Sequence, residues 1–229
     1  MIMVTSGAPS EMPILVKAYA WTQKKIAYST LSSVILFFAS LCVNYLAGTY
    51  ALREAGNSVS DLILDHVRVM DVDGIYTSGM IGFSALVMGL LVRQPRRAPF
   101  VLKSLSLFVV VRSFFVILTH IGPSPQTSAI LLPELMNKFT FGADLFFSGH
   151  TGIPFLLALI YWKNFPLRLI FFVTSIVFGV IVLLGHFHYS IDVFSAFFIT
   201  YGIYHIALEI FEKEYHLFLS QDKKSPRSA

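Results

Sequence analysis

The sequence predicts an all-α integral membrane protein with six transmembrane helices and both termini in the cytosol. Three observations lead to this fold class. Hydrophobic residues make up 55% of the 229-residue chain and charged residues only 13%, a balance that no ordinary soluble domain of this size shows. Apolar stretches recur along the chain, most of them near the roughly 20 residues that cross a bilayer. The basic residues cluster at alternate ends of these stretches.

Six apolar stretches qualify as membrane spans when modest polar interruptions are allowed. They cover about residues 26–50, 76–93, 100–121, 150–162, 168–185 and 190–211. The fourth stretch is short and borrows Phe146 and Phe147 to reach across the bilayer. Residues 1–25 therefore form a cytosolic or interfacial leader, 26–211 one six-helix membrane domain, and 212–229 a basic cytosolic tail that we expect to be disordered.

The positions of the basic residues predict the orientation of the helices. Twelve of the 17 Lys and Arg flank the helix ends on one side of the predicted membrane. Only Arg53, Arg68 and Lys138 fall on the other side, while Lys103 and Arg112 lie inside the third stretch. The positive-inside rule makes the basic side cytosolic. Basic residues that flank a membrane form no continuous face, so the net charge of +4 does not indicate nucleic-acid binding.

The two cations inside the third stretch differ in depth. Lys103 is close enough to the cytosolic end for its ammonium group to reach water. Arg112 lies about 12 residues into the stretch, or about 18 Å along a helix axis. A guanidinium at that depth needs an anionic partner. A carboxylate of the protein and a lipid phosphate both meet this need, and the sequence leaves the two open.

Two short polar runs, residues 144–151 and 185–192, carry the candidate chemistry. His188 and Asp192 are four apart, so on a helix they share a face. A carboxylate there would fix the tautomer of the imidazole and support a positive charge on it. The predicted topology brings His150 to the same non-cytosolic end. Ser148 and Gly149 form a turn whose backbone N–H groups, at a helix N-terminus, can hold an anionic oxygen.

This combination is typical of phosphoryl transfer through a phosphohistidine, in which one histidine attacks phosphorus and another protonates the departing oxygen. The remaining histidines at helix ends, His186, His205 and His216, are interpreted as interfacial hydrogen-bonding residues. A zinc site of His186, His188 and Asp192 is an alternative that the spacing favours only weakly. The site prediction otherwise includes no metal and no cofactor.

At these residues the sequence resembles the sphingomyelin synthase family, within the superfamily of type 2 phosphatidic acid phosphatases. Residues 144–151, DLFFSGHT, resemble that family's Gly-Asp-x-x-x-Ser-Gly-His-Thr element. Residues 188–198, HYSIDVFSAFF, resemble its His-Tyr-Thr-x-Asp-Val-x-x-Ala-Tyr element. Arg112 with Thr119 resembles a third element, and residues 58–61 resemble a Pro-Leu-Pro-Asp element loosely. The resemblance thus runs from about residue 58 to residue 205.

The resemblance implies that His188 attacks the headgroup phosphate of a phospholipid donor, Asp192 orients it, and His150 serves as acid and then as base. Diacylglycerol leaves, and a lipid acceptor, ceramide or diacylglycerol, takes phosphocholine or phosphoethanolamine. With water as acceptor the same site is a phospholipase C or a lipid phosphate phosphatase. The predicted substrate-binding residues are Arg112, Ser148, Gly149, Asp144 and Tyr189, of which Asp144 is a carboxylate behind the histidines.

The chain departs from the lipid phosphatases at their phosphate-binding positions. Those enzymes carry a Ser-Arg pair seven residues ahead of the attacking histidine, where Ile181 and Val182 stand here. Their Lys-x6-Arg-Pro element is also absent, since Lys103 and Arg112 are nine apart and Ser113 follows. The phosphate needs another cation, for which Arg112 is the candidate. These departures favour a headgroup transferase with its active site on the non-cytosolic face; oligomeric state is not predicted.

Overall fold

A computed structural model of the chain describes residues 11–124 and 146–220, with side chains from residue 24 onward. Within these ranges the chain forms seven helices and no strand. The helices are α1 (Glu11–Arg53), α2 (Asp73–Arg93), α3 (Ala98–Leu118), α4 (Gly149–Ile160), α5 (Phe165–Leu184), α6 (Ser190–Ile210) and α7 (Glu212–Leu219). Helix α1 packs along α3, and α4 packs against α5 and α6.

Five of the described helices are long and apolar enough to cross a membrane. They are residues Lys24–Arg53 of α1 together with α2, α3, α5 and α6. Large apolar side chains on their outer faces, among them Phe38, Phe114 and Phe198, are exposed. An apolar surface of this extent is unfavourable in water but matches the hydrocarbon of a bilayer. The structure therefore agrees with an integral membrane α-helical protein.

Helix α4 corresponds to the fourth predicted span and is shorter than the other five, so the structure supports five spans by length and leaves the sixth a prediction. Its 12 residues extend about 18 Å, whereas a bilayer core is about 30 Å thick. The helix begins at Gly149, so the expectation that Phe146 and Phe147 lengthen it is wrong. Phe147 is instead fully buried, with its ring against those of Phe108 and Phe115. The contacts of Phe147 with Phe108 and Phe115 anchor the segment before α4 inside the bundle.

A glycine lets α4 lie in the interior of the bundle. A Cβ atom at Gly152 would stand 2.6 Å from the ring of Phe108 on α3 and 2.9 Å from Oγ1 of Thr200 on α6. Only glycine accommodates so close an approach from both neighbours. Further along α4, Leu156 is fully buried. The helix that begins beside His150 is thus fixed between α3, α5 and α6.

Both ends of the chain differ from a simple leader and tail. Helix α1 starts at Glu11, so residues 11–25 of the predicted leader are helical and continuous with the first span, while residues 1–10 lie outside the described ranges.

Helix α7 occupies residues 212–219, where the sequence predicts disorder, and this prediction is wrong for that segment. Glu214 of α7 pairs with Lys103 at 2.6 Å, and Phe218 packs on Phe100. Lys103 therefore has a carboxylate partner in the protein, and its side chain is 16% exposed. Residues 221–229 lie outside the described part of the chain.

Candidate active site

A backbone hydrogen bond joins the two polar runs that the sequence singles out. The N–H of Ser148 donates to the carbonyl oxygen of Asp192 at 2.8 Å. Ser148 is the N-cap residue of α4, and its side chain accepts from the N–H of Thr151. Asp192 lies in the first turn of α6. The N-termini of α4 and α6 therefore meet, and the ring centroids of His150 and His188 are 5.9 Å apart.

His188 and Asp192 form the pair that their spacing predicts. Nδ1 of His188 lies 3.2 Å from Oδ2 of Asp192, and the same oxygen accepts the N–H of Tyr189 at 3.1 Å. Both members of the pair are buried, and Asp192 is 0% exposed. A carboxylate oxygen can only accept, so Nδ1 carries the proton and donates it to this hydrogen bond. Nε2 then holds the lone pair of the imidazole and is the nitrogen suited to nucleophilic attack.

Tyr76 holds the second histidine. Its hydroxyl oxygen lies 2.5 Å from Nε2 of His150, and the two rings are in contact. Tyr76 is 2% exposed and also packs edge-on against Phe187, the residue before His188. Nδ1 of His150 is buried and has no hydrogen-bond partner among the described residues. Sequence reasoning missed Tyr76, because a tyrosine in the first turn of a span has the same signature as an interfacial anchor.

Arg112 lies against the first turn of α4. Its Nε donates to the carbonyl oxygen of Phe147 at 3.2 Å, and the side chain is 7% exposed. A Cβ atom at Gly149 would stand 3.5 Å from this Nε, an ordinary van der Waals distance, so the guanidinium lies close against the N-terminus of α4. A guanidinium and a helix N-terminus both attract anions. Asp144, the predicted carboxylate behind the histidines, lies outside the described residues.

A cavity of about 310 Å³ opens beside these groups. The polar side chains in its lining are those of Asn44, Arg112 and His150, and Gly149 lies beside them. Most of the remaining wall is apolar and comes from α1, α2, α3, α4 and α5; it includes Leu41, Met80, Phe83, Ile153 and Phe178. Ligand sites of this size typically combine a mostly apolar lining with a few placed polar groups. The arrangement suits a phosphate that is attached to an apolar molecule.

Two of the predicted substrate-binding residues have structural contacts instead. The hydroxyl of Tyr189 donates to the carbonyl oxygen of Gly122 at 2.9 Å and accepts from the N–H of Val59 at 3.3 Å. It therefore ties two loops to the start of α6. The side chain of Ser148 is fully buried and caps α4. Contact of either side chain with a substrate stays a prediction.

Asp61, in the loop before α2, supports the segment that follows His188. Its Oδ2 accepts from the N–H and the hydroxyl of Ser190, at 2.7 and 2.8 Å, and its Oδ1 accepts from the N–H groups of Ile63 and Leu64. Burial raises the pKa of the Asp61 carboxyl, but these hydrogen bonds outweigh it and lower that pKa below its usual value. The sequence gives no role to this carboxylate, because a loose motif match does not reveal a partner more than 120 residues away.

His186 lies just after the C-terminus of α5, and its ring contacts the backbone of the loop before α2. Its φ of 55° is left-handed, and its N–H and that of the next residue donate to the carbonyl oxygens of Leu183 and Val182. This is the Schellman pattern, in which the left-handed position usually holds glycine. The Nε2 of His186 lies 3.0 Å from the carbonyl oxygen of Val67. The residue thus turns the chain toward His188, and the zinc alternative gains no support.

Comparison with known families points to the same part of the chain. Residues 142–208 match the family model described as PAP2 superfamily C-terminal. The matched region includes α4, α5 and most of α6, and with them both histidines and Asp192. The match supports the type 2 phosphatidic acid phosphatase superfamily, and with it an enzyme of lipid phosphoester chemistry, but does not reach the sphingomyelin synthase subfamily. Comparisons with curated proteins and with solved structures gave no match.

Proposed function

We propose that the chain is a membrane phosphotransferase that moves phosphocholine or phosphoethanolamine from a glycerophospholipid to a lipid hydroxyl such as that of ceramide. The observation that carries the proposal is that the rings of His150 and His188 lie with their centroids 5.9 Å apart, and that His150 and Arg112 line one cavity. Reacting atoms approach to about 3–3.5 Å before bonds form, so one phosphate group fits between two such rings.

In the first half of the reaction, Nε2 of His188 attacks the phosphorus atom. An N–P bond forms, and the P–O bond to the diacylglycerol oxygen breaks. Asp192 stabilises the positive charge that develops on the imidazole by accepting from its Nδ1–H. Protonated His150 gives its proton to the departing oxygen, so diacylglycerol leaves as a neutral alcohol. Arg112 and the N-terminus of α4 stabilise the negative phosphoryl oxygens.

In the second half, neutral His150 removes the proton of the acceptor hydroxyl. The acceptor oxygen attacks phosphorus, the N–P bond breaks, and its electron pair returns to His188. The headgroup is then joined to the acceptor by a phosphodiester bond, and His150 is protonated again. In the first half-reaction His188 gains the phosphoryl group and His150 loses a proton, and in the second half-reaction both changes are reversed, so no other reactant is required.

Tyr76 is a positioning residue in this scheme. Its hydroxyl contacts Nε2 of His150, and Nδ1 is buried without a partner among the described residues. The scheme therefore assigns the proton exchange with the substrate oxygen to Nδ1. A ring held at one nitrogen and packed against Tyr76 has little freedom to rotate. This constraint keeps Nδ1 directed at one oxygen through both half-reactions.

Two observations favour a lipid acceptor over water. Ile181 and Val182, which replace the phosphatases' Ser-Arg pair, are buried in an apolar cluster with Phe178 and therefore supply no phosphate ligand. The cavity wall is also mostly apolar.

The superfamily match favours the alternative, a lipid phosphate phosphatase or phospholipase C with water as acceptor. The bias of Lys and Arg supports a non-cytosolic position for the site.

The test is headgroup transfer by the purified full-length protein. Phosphatidylcholine or phosphatidylethanolamine labelled in the headgroup is supplied with ceramide, with diacylglycerol, or with neither, and the label is followed into lipid and into water. The proposal predicts labelled sphingolipid only when ceramide is present, and none with the His188→Ala variant. Label that enters water alone in every arm would contradict the transferase and support the phospholipase. Inorganic phosphate released from phosphatidic acid, without headgroup transfer, would support the phosphatase.

A further inference from the structure

A polar side chain from α1 lines the cavity beside His150, and the proposed chemistry gives it no task. Asn44 lies nine residues before the end of the first span at Arg53, about 14 Å along the helix axis. It is half-buried and belongs to the lining of the cavity of about 310 Å³. An amide at that depth in a bilayer is unfavourable unless it forms hydrogen bonds. Asn44 therefore needs partners, either in the protein or in a ligand.

The described part of the protein supplies this amide with one weak partner. The hydroxyl of Ser113 on α3 lies 3.4 Å from Oδ1 of Asn44, but it also donates to the carbonyl oxygen of Val109 at 2.7 Å. A hydroxyl has one proton, and the shorter contact takes it. No described residue accepts from Nδ2 of Asn44. The two N–H donors of the amide are therefore available to a molecule in the cavity.

The polarity of the cavity changes in the same order along two of its helices. Helix α1 runs toward the histidine end of the bundle, and α4 runs away from it. On α1, Asn44 follows Leu41 by about one turn, and on α4, Ile153 follows His150 by about one turn. Both helices thus place the polar residue at the histidine end and the apolar residue deeper. A glycerophospholipid has the same order, with its phosphate first, the ester carbonyls on its glycerol next and the acyl chains last.

The phospholipid donor fits this order better than the acceptor does. The inference rests on the proposed function, which places the phosphate beside His150. The ester carbonyls of the donor are only a few bonds from that phosphorus, and each accepts a hydrogen bond. Ceramide has no phosphate to fix its position. We propose that Nδ2 of Asn44 donates to an ester carbonyl oxygen of the glycerophospholipid donor. Asn44 is then a specificity-determining residue, because a donor without that carbonyl leaves the amide unpaired in the cavity.

The test compares a diester phospholipid with its diether analogue, which lacks both carbonyl oxygens. Full-length His188→Ala protein in non-ionic detergent is titrated with dioleoyl phosphatidylcholine or with its dioleyl ether analogue, and bound lipid is counted by native mass spectrometry. The diester should bind about two- to ten-fold more tightly, the range of one neutral hydrogen bond. Adding Asn44→Leu should reduce this ratio to about one, because the donor group is gone. Thr49→Val, which removes a hydroxyl from α1 outside the cavity lining, should leave the ratio unchanged.

Failure of this inference is distinguishable from failure of the proposed function. The binding ratio is measured without turnover, so an inactive wild-type protein in the transfer assay would contradict the proposed function alone. The role of Asn44 would be overturned by equal binding of the two lipids to the His188→Ala protein, or by a diester preference that Asn44→Leu keeps. Weaker ceramide binding by Asn44→Leu with an unchanged diester preference would assign the amide to the acceptor and overturn it as well. If Asn44→Leu does not fold, Asn44→Ala decides by the same ratio.

Discussion

The two ends of the bundle each bury an arginine but surround it differently. At one end Arg112 lies beside a helix N-terminus and lines a cavity with His150, and at the other Arg97 lies between the faces of Tyr161 and Phe218. Both arginines are 7% exposed. A buried cation in a membrane protein is therefore no sign of catalysis in itself. The proposed phosphotransfer requires two imidazoles in contact near the cation, and among the described residues the pair of His150 and His188 lies at the first end.

The two ends also differ in what holds them together. The histidine end is assembled by hydrogen bonds between distant segments, such as Ser148 to Asp192 and Ser190 to Asp61. The end that contains Arg97 is assembled by aromatic contacts, for example those of Phe100 with Tyr215 and Phe218. Substitutions at the first end should therefore change rates and pH dependence. Substitutions at the second should change packing.

Replacing His188, the proposed nucleophile, should have the largest effect. His188→Ala is expected to lower headgroup release by at least about 10⁴-fold, since removal of a nucleophile leaves only binding and electrostatic stabilisation. The measurement is turnover of labelled donor at saturating concentration. His216→Ala, an exposed histidine on α7, is the matched control and should keep full activity. An active His188→Ala protein with an unchanged Tm would contradict the assignment.

Removing the hydroxyl that holds His150 should have a smaller effect on rate. Tyr76→Phe keeps the ring that packs on Phe187 but loses the hydrogen bond to Nε2 of His150. We expect kcat to fall about 10- to 100-fold, less than the 10²–10⁴ of a whole acid–base group. KM should stay the same while the pH profile of kcat moves. Tyr50→Phe is the control, and a purely structural role for Tyr76 would instead lower Tm and leave the profile in place.

Asp61 should stabilise the histidine end in a pH-dependent way. Its pKa is lowered in the folded protein, so its contribution is complete above the ordinary aspartate pKa of about 3.9 and is lost as the pH falls through the lowered value. Asp61→Asn should cost about 1–3 kcal/mol at neutral pH, because a buried donor loses its acceptor. Thermal unfolding should show this difference shrinking in acid. A constant difference at every pH, or an equal loss in the exposed control Asp71→Asn, would argue against this role.

The smallest effect concerns the left-handed residue at the end of α5. His186→Ala loses the contact with Val67 and keeps a Cβ atom in a left-handed conformation. His186→Gly loses the same contact but removes the strain, so it should be more stable than His186→Ala by about 1 kcal/mol. Denaturant unfolding of the two proteins measures the difference. The reverse order of stability would show that the backbone at this position is not strained.

Much of the fold follows from local signals in the sequence. Apolar runs and their basic flanks predict the five long spans, and the spacing of His188 and Asp192 predicts their contact. The start of α4 is harder to predict from the sequence, because Phe146 and Phe147 add hydropathy whether they extend a helix or pack in a non-helical segment. Helix α7 was missed for a related reason. Its charged composition resembles a solvated tail, and only its docking through Phe218 makes it ordered.

The sequence likewise predicts only part of the candidate site. The histidine pair and its carboxylate are visible as a spacing and as a shared membrane side. The partners that fix them are not, because Tyr76 and Asp61 lie more than 70 and 120 residues from the groups that they contact. Neither has a sequence signature distinct from an interfacial aromatic residue or a solvated loop carboxylate. Such contacts depend on tertiary packing, which one sequence does not reveal.

The most direct measurement of the central claim is the covalent intermediate on His188. The wild-type protein is mixed with donor phospholipid labelled in its phosphorus, without acceptor lipid, and quenched in alkali within one turnover. The proposed chemistry predicts acid-labile label on the peptide that contains His188, and none in His188→Ala. Turnover that proceeds with no labelled protein, or label on a peptide that lacks His188, would contradict it.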